Sequence, residues 1–413
     1  MKFDTVIIGG GLAGLVCGIR LQQKGLKCAI VSAGQSALHF SSGSFDLLNE
    51  LPDGTVVTNP EEAVASLDKS HPYAKIGAKF ADYAKEAKQL LLASGVEVSG
   101  ESNRNVYRIT PMGTTMPTWL TLADFSTLKN SNDVLGKKIL LVNIAGFLDF
   151  NTKFVADAFE ANGAECRIKS VSLPEFERLR QSPTEMRSAN IARVIENKNT
   201  LNALLSTLKG DSNGFDVVAL PAVFGLSSLE PVKVLKDGLN IPVCLVPTMP
   251  PSVPGIRTQK QLRRVFEQAG GVYMLGDSVM KAETVNGRVE KVYTVNHGDI
   301  ALKADNFVLA TGSFFSNGLK AQMDRVYEPV FGADVDFDAN RNSWYSVSVF
   351  DPQKYRTFGV ATDEQFRIKV NGNVVDNVYA IGSVLSGFDA LQEGCGAGVS
   401  MLTALYVADN LKK

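Results

Sequence analysis

Apolar positions along this chain alternate between short continuous runs and helical spacing. Thr5–Ile8 is a β-branched run that suits a strand buried on both faces. Leu12, Leu15, Val16, Ile19 and Leu21 then recur at roughly helical spacing until Lys24-Gly25, and Lys27–Val31 supplies a second apolar strand. The N-terminus thus predicts a complete βαβ unit. Further on, Ile76, Phe80, Tyr83, Ala84, Ala87, Leu90 and Leu91 mark one face of an amphipathic helix whose other face is charged. Lys138–Val142, Glu165–Val171 and Asp216–Leu220 read as strands, Asn151–Ala161 as a helix, and Ser182–Leu208 as a polar, helix-rich stretch. Gln259–Ala269 predicts another helix, followed by strands at Val272–Met274, Asp277–Thr284 and Val289–Val295, the last two joined by a turn at Asn286-Gly287. Asn306–Gly312 and Asn377–Ser383 read as buried strands ending in small residues, and Val399–Leu411 as a long apolar helix.

Gly9, Gly11 and Gly14 stand between the first strand and the first helix with the spacing G-x-G-x-x-G. In such a unit the first glycine permits the tight turn, the second lets backbone approach a pyrophosphate, and the third lets helix pack closely on sheet. The helix tip beginning at Leu12 and Ala13 offers unpaired N–H groups and the positive end of the helix dipole, a phosphate site that needs no basic side chain. A dinucleotide fold normally closes its second strand with Asp or Glu to hold the ribose, but Ser32 stands there instead. Adenosine is then held weakly or differently, or is absent. The loop Ser36–Asp46 crowds hydroxyls and a glycine, including Ser41, Ser42 and Gly43, where ligand contact is favoured over a plain surface loop. His39 lies in this loop, with a structural hydrogen bond as its commoner role than redox chemistry.

Composition narrows the function classes. Forty-two Lys plus Arg against 43 Asp plus Glu give a net charge of −1, which argues against a nucleic-acid footprint. Cys17, Cys28, Cys166, Cys244 and Cys395 are odd in number and scattered, with no CxxC pattern, so neither a disulfide framework, a metal site nor an iron–sulfur site is expected. Nothing resembles a signal peptide, and the apolar runs fall short of the roughly 20 residues of a membrane span. A reducing cytoplasm is expected, with any membrane contact peripheral or through a partner. Two loops rich in Pro, Met and hydroxyls, Thr110–Trp119 and Pro247–Arg257, suit a cap or a docking face, or are only linkers. Arg257 is the first basic residue to test for an anionic ligand, against the commoner role of a solvated surface arginine.

Across most of its length the chain resembles the fumarate-reductase-like flavoproteins. More narrowly, the runs VIIGGGLAGLVCGIRLQQKGLKCAIVSAGQSALHFSSGSFDLL, LATGSFFSNGL and YAIGSVLSGFDALQEGCGAGVS are similar to the family of anaerobic glycerol-3-phosphate dehydrogenase B subunits. The resemblance implies an α/β, Rossmann-like two-dinucleotide-binding flavoprotein fold with an inserted α/β capping domain. Residues 1–57 and 258–413 would form the discontinuous flavin-binding domain and 58–257 the capping and interaction insert. It also implies that Ala310-Thr311-Gly312 passes near the cofactor, that Gly382 and Ser383 meet its ribityl chain, and that the helix tip at Gly396-Ala397-Gly398 faces the flavin. Ser383, like Ser32, replaces a usual acid. FMN is the implied cofactor, with FAD the alternative, and the missing carboxylates fit a cofactor other than ordinary FAD. The implied partners are the FAD-bearing catalytic A subunit and the iron–sulfur, membrane-anchoring C subunit of the same complex, with electrons passing from sn-glycerol 3-phosphate to the quinone pool at the cytoplasmic face of the inner membrane. No catalytic residue and no metal ligand is assigned, since no Arg, Lys and His cluster stands out in the sequence. The alternatives are a self-sufficient FAD-dependent dehydrogenase or reductase of a small acid, and a cofactor-free scaffold.

Overall fold

The computed structural model of the chain describes residues 1–411. Its largest sheet grows outward from the strand Lys2–Ile8, which pairs in parallel with Cys28–Ser32 on one side and Leu302–Leu309 on the other. Val272–Leu275 extends the sheet beyond Cys28–Ser32, and Asn373–Ala380 runs parallel to the last residues of Leu302–Leu309. The hairpin Val279–Val285 with Arg288–Thr294 joins the other end of Leu302–Leu309 through Lys291↔Lys303 and Val292↔Leu302. Leu302–Leu309 therefore serves two neighbours along one edge. Val272–Leu275, which the sequence pattern grouped with the hairpin, is a parallel strand because the helix Val253–Gln268 supplies the crossover that parallel pairing needs.

The first helix, Leu12–Gln23, and the last, Gly396–Asn410, pack against each other over this sheet, which is why its central strands are apolar at successive positions. Arg20 joins Asp409 and Glu86, each at 2.7 Å, and so ties both helices to the helix Phe80–Ala93. The last helix starts three residues earlier than its apolar pattern indicates, so Gly396-Ala397-Gly398 is its first turn. The helix Phe80–Ala93 starts later than Ile76, because Gly77 takes a positive φ of 59° and breaks the preceding turn away.

A second, four-stranded parallel sheet has the order Glu165–Val171, Lys138–Ile144, Val217–Pro221, Val243–Val246. It has its own core, which includes Leu140, Leu141, Phe147, Phe176 and Leu220. Side chains from Leu67 to Leu122, which the sequence pattern grouped with the insert, fill the first core instead, among them Tyr73, Phe80, Trp119 and Leu120. Arg257 bridges the two cores. Its helix buries Leu262 and Phe266 in the first core, while its guanidinium donates to the Phe224 and Gly225 carbonyls and pairs with the buried Asp124.

Candidate functional site

Strand register sets the site. Ile8 lies opposite both Val31 and Leu309, and Leu309 lies opposite Ala380, so the strands end in one row. Gly9, Ser32, Ala310 and Ile381 follow at the C-terminal edge, where open α/β sheets bind ligands. A cleft of about 1150 Å³ opens along that edge.

Each motif glycine has a distinct structural reason. Gly9 has φ 120°, and a Cβ there would lie 2.0 Å from the Ala310 carbonyl oxygen. A Cβ on Gly14 would lie 2.0 Å from the Gly9 oxygen, so strand end and helix touch backbone to backbone. At Gly10 a Cβ would meet the Tyr273 hydroxyl, which donates to the Gly10 carbonyl at 3.1 Å and holds that peptide in place. Gly11 differs: a Cβ there would find only Ser36 Cβ, at 3.7 Å, and would project into open space. The turn is thus rigid from behind and bare in front. The first helix has no side-chain cap, and neither has the last. In the last helix the Gly398 N–H is taken by the Asp46 carbonyl, whereas Gly396 and Ala397 line the cleft.

Of the residues singled out in the sequence, Gly9, Gly11, Leu12, Ala13, Ser32, Ser41, Ala310, Thr311, Gly312, Ser383, Gly396 and Ala397 all line this one cleft. Gly14, Ser42, Gly43, Gly382 and Gly398 stand outside its lining. Gly14 serves the close approach just described, and Gly382 donates its N–H to Thr403 Oγ1 in the core. A Cβ at Gly43 or Gly398 would strike Phe125 or the Tyr73 hydroxyl. Ser32 turns its hydroxyl onto the Gly34 carbonyl at 3.0 Å. The Thr311 hydroxyl is buried without a hydrogen-bond partner, an orphan that a bound ligand would satisfy.

Beyond Ser32 the cleft continues between Gly34–Leu38 and Asp277–Met280. Asp277 is buried, and its carboxylate accepts from the backbone of Ser278 and Asn296 and from His297. Burial opposes its charge, but these bonds together with Thr294 win and hold it below the usual carboxylate range. Phe40 and Phe315 meet edge to face at 5.2 Å on the cleft wall, both exposed. His39 is not in the lining; its carbonyl accepts from Ser252, and burial, then Lys260, lowers its pKa. The Thr110–Trp119 and Pro247–Arg257 loops also stay out of the lining, and the Arg257 guanidinium is turned to Phe224, Gly225 and Asp124 and away from the cleft. The Pro247–Arg257 stretch is a helix start rather than a linker, with Ser252 capping the Gly255 N–H at 3.1 Å.

A polar cluster that no local motif announces adjoins the tip of the last helix. His71 Nε2 and Glu393 Oε2 lie 3.2 Å apart, both buried, without the alignment of a hydrogen bond. Cys395 completes a trio whose ligating atoms lie within 4.8 Å of one another. That trio is poorly suited to a metal. His71 Nδ1 accepts the Tyr73 N–H at 3.0 Å, so the neutral ring carries its proton on Nε2, the atom that would have to bind the ion. The Cys395 thiol is also pushed well above its ordinary range, by burial first and then by Glu393, Asp389 and Asp46. Asp46, next to the cleft-lining Phe45, is raised by burial against the opposing pull of Arg108, Thr118 and Ser44, and its Oδ1 has no partner.

The FAD binding domain family matches residues 4–399 of the chain. Two relatives, each described as the B subunit of an anaerobic glycerol-3-phosphate dehydrogenase, align with all of it. The one from Yersinia enterocolitica is 45% identical, with 100% of this chain and 98% of the relative covered. The one from Pectobacterium atrosepticum is 46% identical, with 100% and 99% covered. Among solved structures, a flavocytochrome c3 fumarate reductase superposes with a TM-score of 0.47 at 9% identity, covering 99% of this chain and 78% of the other.

Proposed function

Because the chain belongs to the FAD binding domain family and, within it, to the B subunits of anaerobic glycerol-3-phosphate dehydrogenase, we propose that it is the flavin-bearing electron-relay component of such an enzyme. It is a flavin-dependent dehydrogenase subunit, and the net reaction is sn-glycerol 3-phosphate plus quinone giving dihydroxyacetone phosphate plus quinol. The observation that carries this reading is the meeting of two uncapped helix tips, at Gly11–Ala13 and Gly396-Ala397, on a single cleft.

A flavin bound there supplies two-electron chemistry and onward electron transfer. The first helix tip holds phosphate through backbone N–H groups, and Gly11 leaves room for that approach. Thr311 and Ser383 offer hydroxyls along the middle, and the last helix tip favours the negative charge that grows on a reduced ring. Ser41, Ala310, Gly312 and Ser32 complete the proposed contacts, while Gly14, Gly43, Gly382 and Gly398 support them from behind. FAD is the cofactor that the family match favours, and the cleft's lining does continue past Ser32 to Gly34–Leu38 and Asp277–Met280. FMN is the second reading, favoured by the lack of a carboxylate at Ser32.

In this reading electrons come from the FAD-bearing A subunit of the complex and leave toward its iron–sulfur C subunit and the quinone pool. The complex then lies at the cytoplasmic face of the inner membrane and is held there by its partners. Two things support it: the relatives are themselves described as subunits of a larger enzyme, and among the described residues no helix is long and apolar enough to cross a membrane. Heat release of the chromophore from purified protein followed by chromatography identifies the flavin. A colourless chain that takes up neither FAD nor FMN would overturn the proposal. Steady reduction of an artificial dye by glycerol 3-phosphate with this chain alone would replace the relay with a self-sufficient enzyme.

A further inference from the structure

Carboxylates that accept backbone N–H groups close many turns in this chain, and most of them are exposed or half-buried, as at Asp53, Asp68, Asp338 and Asp363. Among the described residues, four do so while buried: Asp277, Glu328, Asp389 and Glu393. Asp277 accepts from Ser278, Glu328 from Val330 and Asp389 from Leu391, while Glu393 closes the turn of Asp389 by accepting its N–H. Ser278, Val330 and Leu391 all line the cleft. A buried carboxylate gives up its water, which is costly, and exposed carboxylates close other turns of this chain without that cost. Buried clasps that coincide with the cleft therefore point to a need for fixed geometry there.

Of the four, Glu328 accepts the most backbone N–H groups. Its carboxylate, 1% exposed, takes those of Val330 at 2.6 Å, Phe331 at 2.7 Å and Ala333 at 3.3 Å. Gly332 has a φ of 68°, which curls the backbone round the anion. Burial raises the Glu328 pKa against the opposing pull of these same N–H groups, a measure of what enclosing it costs. The turn is pinned from its other side as well. It follows directly on the paired segments Lys320–Ala321 and Val326–Tyr327, Ala333 is buried, and Phe331 lies edge to face on Phe307 of the strand Leu302–Leu309 at 6.3 Å. Pro329 and Val330 are left facing the cleft. We propose that Glu328 is a positioning residue for the bound flavin: by clasping the backbone of 330–333 it fixes Pro329 and Val330 as a rigid apolar wall of the cleft. The inference rests on the reading that this cleft holds the flavin. A wall fixed before binding does not have to be ordered on binding, so the clasp acts on affinity without touching the cofactor.

The test uses the full-length chain stripped of flavin, titrated by fluorescence with FAD and with FMN, and melted with and without them. Glu328→Gln keeps the shape of the side chain but only one acceptor oxygen, and should raise the flavin dissociation constant about 10-fold. Glu328→Ala should raise it further. Val330→Ala trims the wall and leaves the clasp in place, and should also weaken binding. Because Glu328 acts through the wall, Glu328→Gln combined with Val330→Ala should weaken binding by less than the product of the two single effects. Asp338→Asn, whose turn at Asn340 stands outside the lining, is the control and should bind as the wild type does. A purely structural role predicts that flavin-free and flavin-loaded forms of Glu328→Gln melt lower by the same amount, with affinity unchanged. Positioning predicts that the loaded form falls further, so that the gap between the two narrows. Unchanged affinity in Glu328→Gln, or single effects that simply multiply in the double variant, overturns the proposal. Unchanged affinity in Val330→Ala overturns it even where the Glu328 variants fail to fold. A wild type that binds neither flavin overturns the cofactor reading and this proposal with it, whereas failure of the clasp alone leaves wild-type binding intact.

Discussion

Gly11→Ala should strip the protein of flavin while leaving the fold standing. The backbone at Gly11 is extended, with φ −82° and ψ −167°, a conformation open to alanine. The new methyl would meet only Ser36 Cβ at 3.7 Å, an ordinary contact. Reduced freedom of the unfolded chain contributes about 0.4–1 kcal/mol in favour of the variant. The poorer capping by alanine costs about as much. Stability therefore changes by roughly 1 kcal/mol at most, a shift of no more than about 2–4 °C in Tm. Binding is different, because the methyl stands where phosphate has to reach the helix tip. Losing two charge-assisted hydrogen bonds at about 1.5–3 kcal/mol each gives about 3–6 kcal/mol, or roughly a 10²- to 10⁴-fold weaker affinity. The assay is flavin absorbance per chain after gel filtration, with differential scanning fluorimetry on the same samples. Gly14→Ala is the comparison, since its Cβ would sit 2.0 Å from the Gly9 oxygen and the backbone itself would have to move. That variant should lose stability by about 1–3 kcal/mol or more. Full flavin occupancy at undiminished affinity in Gly11→Ala would show that the cofactor's phosphate lies elsewhere.

Other variants probe other links. Arg257→Ala leaves the buried Asp124 without its cation, and should cost about 3–5 kcal/mol in denaturant unfolding while flavin content per folded chain stays the same. Thr311→Val removes a hydroxyl that has no partner in the protein; stability should hold and flavin affinity fall, read by fluorescence titration, and unchanged affinity would remove Thr311 from the contact set. Asp46 has a folded-state pKa above its unfolded value, so the folded form holds its proton more tightly and stability falls as pH rises from the unfolded value through the folded one. Asp46→Asn should therefore melt higher than the wild type at neutral pH, with the gap closing as pH drops toward about 4. A gap that does not change with pH would refute the assignment.

The N-terminal βαβ unit was legible because its signals are local: a continuous apolar strand, three spaced glycines and a helix stop within a few turns of chain. The strands Leu302–Leu309 and Asn373–Ala380 were legible for a similar reason, since buried parallel strands followed by small residues carry their own mark, though each begins four residues earlier and ends three residues earlier than its sequence pattern indicates. The starts of the two late helices were misjudged because apolar periodicity begins after the cap. Ser252 and Pro254 announce the helix Val253–Gln268 in a stretch that reads as linker, and Gly396-Ala397-Gly398 opens the last helix with residues of weak helical preference. His71 and Glu393 were illegible. They come from separate parts of the chain, and only the folded packing brings His71 Nε2 and Glu393 Oε2 to 3.2 Å. What could have been noticed is His71 before Pro72, since a hydrogen-bonding side chain ahead of proline is a helix-start signal, and His71 does cap the Tyr73 N–H.

The Arg257 bridge bears on how the two cores are joined. Its bonds to Phe224, Gly225 and Asp124 tie a helix anchored in the first core to residues beside the second. A joint of that kind would suit the proposed relay, whose cofactor needs a settled place between the surfaces of its neighbours.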